Sequence, residues 1–207
     1  MRAVLLHLVF LTALPAAMSA QARVSLDVRG GLAVPAGELA TVGNPGMTVG
    51  AGAAVRLRGP LHVRVDLEAS FLGEGASDSG EQFPGMNFLH RTVGLEYALG
   101  RVGRDGPLVS ANVGGGVSTF EIEGYVARVG PDAGRTYTAS ESDPVLTSGL
   151  TAEIAPTRHL AFFARAQVYA VMTDEDYTSQ FQRIAVDVEP FRRAWSVPIS
   201  GGVRLRW

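Results

Sequence analysis

From Leu61 to Phe71 the chain reads Leu-His-Val-Arg-Val-Asp-Leu-Glu-Ala-Ser-Phe, one apolar residue in every two, a pattern that no helix can gather onto one face. A period of two belongs to an extended strand. It sets Leu61, Val63, Val65, Leu67, Ala69 and Phe71 on one side and His62, Arg64, Asp66, Glu68 and Ser70 on the other. The same rhythm runs almost without a break from Arg23 onward, so the chain is constrained to be a sheet.

Val24, Leu26, Val28, Leu32 and Val34 alternate with Arg23, Ser25, Asp27 and Arg29, and Met47, Val49, Ala51, Ala53, Val55 and Leu57 with Thr48, Gly50, Gly52, Ala54, Arg56 and Arg58. Leu89, Val93, Leu95, Tyr97 and Leu99 oppose His90, Thr92, Gly94, Glu96 and Ala98, and Arg91 breaks that strand's rhythm. Val109, Ala111, Val113 and Val117 oppose Ser110, Asn112, Gly114 and Ser118; Leu146, Leu150, Ala152 and Ile154 oppose Thr147, Thr151 and Glu153. Leu160, Phe162, Ala164, Ala166, Val168 and Met172 oppose Arg165, Gln167 and Tyr169, and Trp195, Val197, Ile199, Val203, Leu205 and Trp207 oppose Ser196, Ser200, Arg204 and Arg206. The pattern predicts eight strands.

Their connections alternate in length. Those at Gly59-Pro60, Gly100 to Gly106 and Pro156 to Arg158 are tight and rich in turn formers, whereas Pro35 to Gly46, Gly73 to Asn87, Glu121 to Pro144 and Thr173 to Arg193 are long. In a meander this gathers every long loop at one end.

Ahead of the strands, MRAVLLHLVFLTALPAAMSA joins Arg2 to an apolar run from Ala3 to Leu14, the breaker Pro15 and the small residues Ser19-Ala20. This is the layout of a secretory signal peptide cleaved near 20–22, and its apolar run is shorter than the ~20 residues of a spanning helix. The expected organisation is a signal over 1–20 and one domain over 23–207. With no cysteine, disulfides and thiolate zinc sites are excluded. Without Arg2 the chain has 17 basic and 20 acidic residues, a formal charge of −3, which offers no broad basic surface to nucleic acid.

Alternation alone serves two barrels: a soluble carrier with the apolar face inward, and a membrane barrel with it outward. Three features favour lipid outside. Strands of about ten to twelve residues match tilted transmembrane strands, and short turns at one end with long loops at the other are the plan of outer-membrane barrels. Phe71, Tyr97, Phe162, Trp195 and Trp207 stand near strand ends on the apolar face, as an interfacial girdle would. The last strand also carries Trp207 as its closing residue.

That strand, with Gly202, Val203, Leu205 and Trp207, resembles the signal by which barrel-insertion machinery reads bacterial outer-membrane proteins, and the whole mature chain resembles the small outer-membrane β-barrel family of OmpA and OmpX type. The resemblance implies an all-β, eight-stranded, antiparallel up-and-down barrel in the bacterial outer membrane, with short periplasmic turns and long extracellular loops; the periplasmic peptidoglycan-binding domain of a typical OmpA protein is not expected here. Its expected contacts are outer-membrane lipid, the insertion machinery and an unidentified extracellular partner, with the chain a monomer.

A barrel of eight strands is only wide enough for its own side chains to fill. Asp27, Arg29, Arg56, Arg64, Asp66, Glu68, Glu96, Glu153, Arg165 and Arg204 are therefore expected to form an interior polar network. The long loops carry Glu74, Asp78, Glu81, Glu121, Glu123, Asp132, Glu141, Asp143, Asp174, Glu175, Asp176, Asp187 and Glu189 against Arg128, Arg135, Arg183, Arg192 and Arg193. They suit a structural or surface-interaction role. Asp174-Glu175-Asp176 offers oxygen ligands but not the spacing or glycine of a calcium loop, so no metal or cofactor is expected. The alternatives are a narrow channel and a lipid A-modifying enzyme. Such an enzyme needs a nucleophilic serine with a histidine base, and His90 with Ser70 or Ser118 is the nearest candidate, since His62 and His159 fall at the short-turn end. No enzyme is expected.

Overall fold

The computed structural model describes residues 24–76, 82–126, 133–172 and 193–207. Eight antiparallel strands close into a single barrel. They are β1 Val24–Ala36, β2 Gly43–Arg58, β3 Leu61–Ala76 and β4 Met86–Arg101, then β5 Leu108–Val126, β6 Thr136–Ile154, β7 Leu160–Met172 and β8 Arg193–Arg206. A two-residue segment, Gln82–Phe83, pairs with the end of β3. Each strand pairs with its neighbours in sequence, and β8 returns to β1 in a ladder from Ser25↔Arg206 to Ala36↔Trp195. Closure leaves no edge strand, which is what a sheet in hydrocarbon requires. The expected signal segment lies outside the described residues, as do Asp78, Glu81, Asp132, Asp174, Glu175, Asp176, Asp187, Glu189, Arg128, Arg183 and Arg192.

The alternation resolves as apolar outward. Val28 and Met47 are each 64 % exposed and Leu150 and Ile199 each 56 %, while Arg64, Glu68 and Arg165 are 1–2 % exposed. In water this would invert the usual order of burial; in a bilayer it is what the solvent dictates. Phe71 and Trp195 stand exposed toward the long-loop end, and Tyr97, Phe162 and Trp207 toward the short-turn end, two aromatic rows bounding the belt.

Strands outrun the belt at the loop end. Most of the connection expected between Glu121 and Pro144 is strand instead, in the ladder Ser118↔Asp143, Phe120↔Glu141, Glu121↔Ser140 and Ile122↔Ala139. Backbone pairing needs no apolar outward face once the sheet has left the lipid, so the ladder continues where alternation has stopped. At the opposite end Gly59 takes φ 57° in the β2–β3 turn, a left-handed conformation that suits glycine. The β1–β2 connection folds over the loop end as the 3-10 helix Gly37–Thr41, where Thr41 Oγ1 donates to Glu38 O at 2.7 Å and Leu39 is buried inward.

Candidate functional site

The interior divides into two layers of opposite chemistry. The layer toward the short turns holds five carboxylates, Asp27, Asp66, Glu68, Glu96 and Glu153, and five guanidinia, Arg29, Arg64, Arg165, Arg204 and Arg206. Opposite charges in equal number, drawn from six strands, meet where isolated charge would be very costly. Asp66 is the hub: it lies 2.9 Å from Arg29 Nη1, 2.6 Å from Arg64 Nε and 3.2 Å from Arg165 Nη1. Glu96 gathers a second set, 3.0 Å from Arg204 Nη1, 3.4 Å from Arg64 Nη1 and 3.6 Å from Arg165 Nη2. Arg29 Nε donates to Glu68 at 2.7 Å, and Arg64 Nη2 to Asp27 at 2.9 Å. Glu153 Oε2 lies 3.1 Å from Arg204 Nη1, and Glu153 Oε1 accepts from Arg206 Nη2.

Local sequence makes room for these long side chains. The inward face of β2 offers Gly50, Gly52 and Ala54 at this level, and a Cβ on Gly52 would collide with Arg64 Nη2 and lie 2.7 Å from Asp66 Oδ1. With no side chain at Gly52, Arg64 lies across β2 to reach Asp27. Phe163 inserts between two cations, its ring 5.7 Å from Arg165 Cζ and 5.4 Å from Arg204 Cζ, within cation–π range.

Above the charges sits an apolar plug that the alternation does not announce. Leu39, Val42, Leu72, Met86, Phe88, Phe120, Ile122, Val145, Tyr169 and Val171 form one buried cluster at the loop end. Phe88 and Phe120 pack at 5.3 Å and 49°. His90 lies at the seam between layers, stacked on Tyr169 at 4.0 Å and 8° and on Phe88 at 5.9 Å. The plug's signal in the sequence is that both faces turn apolar there, as in Phe71-Leu72, Phe88-Leu89 and Val145-Leu146.

Nine of the ten residues expected in the network lie there. Arg56 does not: it is exposed at the short-turn rim, where its Nε donates to Gly59 O at 2.7 Å. The turn carbonyl is nearer than any interior acid, and β2 has by then reached the barrel's end. Arg206, absent from the expected set, takes part instead through Glu153. Val203, Leu205 and Trp207 face outward, whereas Gly202 faces inward, where a Cβ would lie 2.7 Å from Phe163 Cζ.

His90 is buried and inward, turned from the lipid interface where an acyl ester would lie. Ser118 stands opposite it in the ladder, Ser70 donates to Thr48 Oγ1 at 3.4 Å, and His159 Nδ1 lies 3.0 Å from Arg206 O beside the short turn. Among the described residues no three His, Cys, Asp or Glu side chains are grouped to hold a metal ion. Below the network the barrel opens in a cavity of about 890 Å³, bordered by Glu96, Glu153 and Arg204 within and by Arg56, Arg101 and Arg158 at the rim.

No family model and no curated protein sequence matches the chain. Solved structures do. Neisserial surface protein A superposes with a TM-score of 0.54 at 14 % identity, covering 90 % of this chain and 97 % of its own. A major outer membrane protein from Thermus thermophilus gives 0.55 at 14 %, covering 91 % and 100 %. Ail, the attachment invasion locus protein of Yersinia pestis, in complex with the heparin analogue sucrose octasulfate, gives 0.51 at 8 %, covering 90 % and 100 %. What is shared at these identities is the fold, that of the small eight-stranded outer-membrane β-barrels.

Proposed function

We propose that this barrel stands in the bacterial outer membrane as a closed scaffold and holds its long loops outside as an interaction surface. The observation that carries the reading is a lumen blocked between the loops and the cavity at the short-turn end. A neutralised ion-pair layer and an apolar plug lie in series across the lumen, so the side chains left to meet a partner are those beyond the belt. Glu74 and Glu121 are exposed there, and the acids assigned to the remaining loops by sequence add to the same sign. The heparin analogue bound by Ail is a polyanion; acidic loops suit the opposite choice, a cationic surface. The test immobilises refolded barrels in nanodiscs and passes polylysine and heparin over them at rising salt. Salt-sensitive capture of polylysine is expected; capture of heparin with equal strength would overturn the reading.

The same interior predicts an electrical result. Refolded protein in planar bilayers is expected to show no stable conductance steps, since ions would have to displace both paired charges and packed aromatics. Regular unitary steps in single-barrel recordings would restore the narrow channel.

Gly202, Val203, Leu205 and Trp207 are further proposed to be the strand read by the insertion machinery, a reading supported by the outward row of Val203, Leu205 and Trp207 on the strand that seals the barrel. Deleting Trp207 is expected to lower outer-membrane levels in cells far more than refolding yield in detergent, because only the cellular route includes recognition. Equal levels in membrane fractions would leave Trp207 an interfacial anchor alone.

A further inference from the structure

Arg91 interrupts β4's outward apolar row between Leu89 and Val93, and the structure leaves it on the outer surface. It pairs in the ladder with Leu67 on one side and Val117 on the other, and these are 50 % and 45 % exposed; Val93, next on its own face, is 41 % exposed. Asn87, in register with the girdle residue Phe71, is four residues nearer the loop. For a tilted strand that sets the Arg91 backbone roughly 10 Å below the aromatic row, inside the apolar belt. A guanidinium facing lipid at that depth is destabilising unless it reaches the interface or finds a counter-charge.

Its side chain does turn toward the loops. Arg91 Nη1 donates to Thr119 Oγ1 at 3.1 Å, and Thr119 Oγ1 lies 2.9 Å from Ser142 Oγ. Thr119 pairs with Leu89, two residues nearer the loop end than Val117, so this is a snorkelling direction. The remaining guanidinium N–H groups bond to nothing among the described residues, and no carboxylate there pairs with Arg91. A fixed cation beside two hydroxyls, walled by Leu67, Val93 and Val117, is a lateral half-site for an oxyanion entering from the lipid phase. The planar fork of arginine matches phosphate oxygens bidentately, and the hydroxyl proton not spent between Thr119 and Ser142 supplies one further donor.

We infer that Arg91, Thr119 and Ser142 form a binding site on the barrel's outer wall for the phosphate of an outer-leaflet lipid. The site holds lipid as an annular ligand and is separate from the loops and the lumen.

The test uses the full chain refolded in dodecylmaltoside, as wild type, Arg91→Leu and Arg91→Lys, each first checked for a folded band that shifts on boiling. Bisphosphorylated lipid A, dephosphorylated lipid A and phosphatidylglycerol are titrated in turn, and bound lipid is read by native mass spectrometry. Arg91→Leu is expected to weaken binding of the phosphorylated lipid on the order of tenfold, the worth of one charge-assisted hydrogen bond, while Arg91→Lys keeps part of the affinity. Dephosphorylated lipid A should bind all three proteins alike. Arg91-dependent preference for lipid A assigns the phosphate to the glycolipid, and preference for phosphatidylglycerol to a phospholipid. Equal affinities in wild type and Arg91→Leu, or an Arg91-dependent dimer that ignores lipid, would overturn the site.

Discussion

Replacing Asp66 with alanine is expected to lower folding stability by about 3–5 kcal/mol, the range for leaving a buried charge without its partner. The expectation stands at the upper side for this residue because three guanidinia, those of Arg29, Arg64 and Arg165, lose a carboxylate together. Asp66→Asn keeps the shape and one acceptor oxygen, and should fall between. The measurement is the urea midpoint of tryptophan fluorescence for barrels refolded into lipid vesicles, with the slope compared so that a change of native compactness is not mistaken for stability. Glu96→Ala should act in the same direction, since Glu96 serves Arg64, Arg165 and Arg204. If neither substitution moves the midpoint, the interior is solvated and the charge layer does not hold the barrel together.

Phe120→Ala is expected to remove about 3–5 kcal/mol by a different route, the cavity left by a large buried side chain. Phe120 is 1 % exposed and packs on Phe88 from the adjacent strand. Loss here should respond to the volume restored: Phe120→Leu should recover most of the midpoint, while Phe120→Ser should be no better than alanine. An outward control, Phe162→Ala, exchanges one lipid contact for another and should change much less. Should Phe120→Ala be neutral, the loop-end cluster is collapsed without being tightly packed.

The residues that announce the strands and their faces are those inside the membrane's reach. Along β3 each second side chain has to satisfy lipid and each other one the lumen, so Leu67 and Glu68 can be assigned by parity alone. Parity fails wherever that pressure is lifted. Between Glu121 and Ser140 the sheet has left the belt, acids and serines satisfy the outer face, and a ladder carries the composition of a loop. It fails again where lumen and lipid ask for the same thing: Leu72 beside Phe71, or Val145 beside Leu146, reads as a run of apolar residues with no preferred side. The plug is hidden for that reason. Arg56 departs from expectation for a geometric one, because parity gives a direction but not a height, and the last inward position before a turn opens onto the rim. Pairing partners are also beyond the pattern: that Arg64 meets Asp27 across a glycine on β2, a contact between residues 37 apart, depends on the register of three successive strands.

The seam between β1 and β8 has a bearing on how the protein is made. Asp27 and Arg204 stand opposite each other in its ladder, with Arg204 Nε 3.5 Å from Asp27 Oδ2, and Arg29 lies beside Gly202 two steps on. An unsealed sheet would present Arg204 without Asp27 at the moment it meets hydrocarbon, and the energy of such an intermediate would be high. Insertion should therefore be all-or-none, with the first and last strands finding each other in the same event that crosses the bilayer, and the kinetics should be single-exponential in thin membranes with no long-lived half-inserted form. The final register would then be proofread electrostatically: a slip by one residue turns Arg204 out into lipid and takes its guanidinium from Asp27, Glu96 and Glu153 inside, so misaligned closures unzip rather than persist.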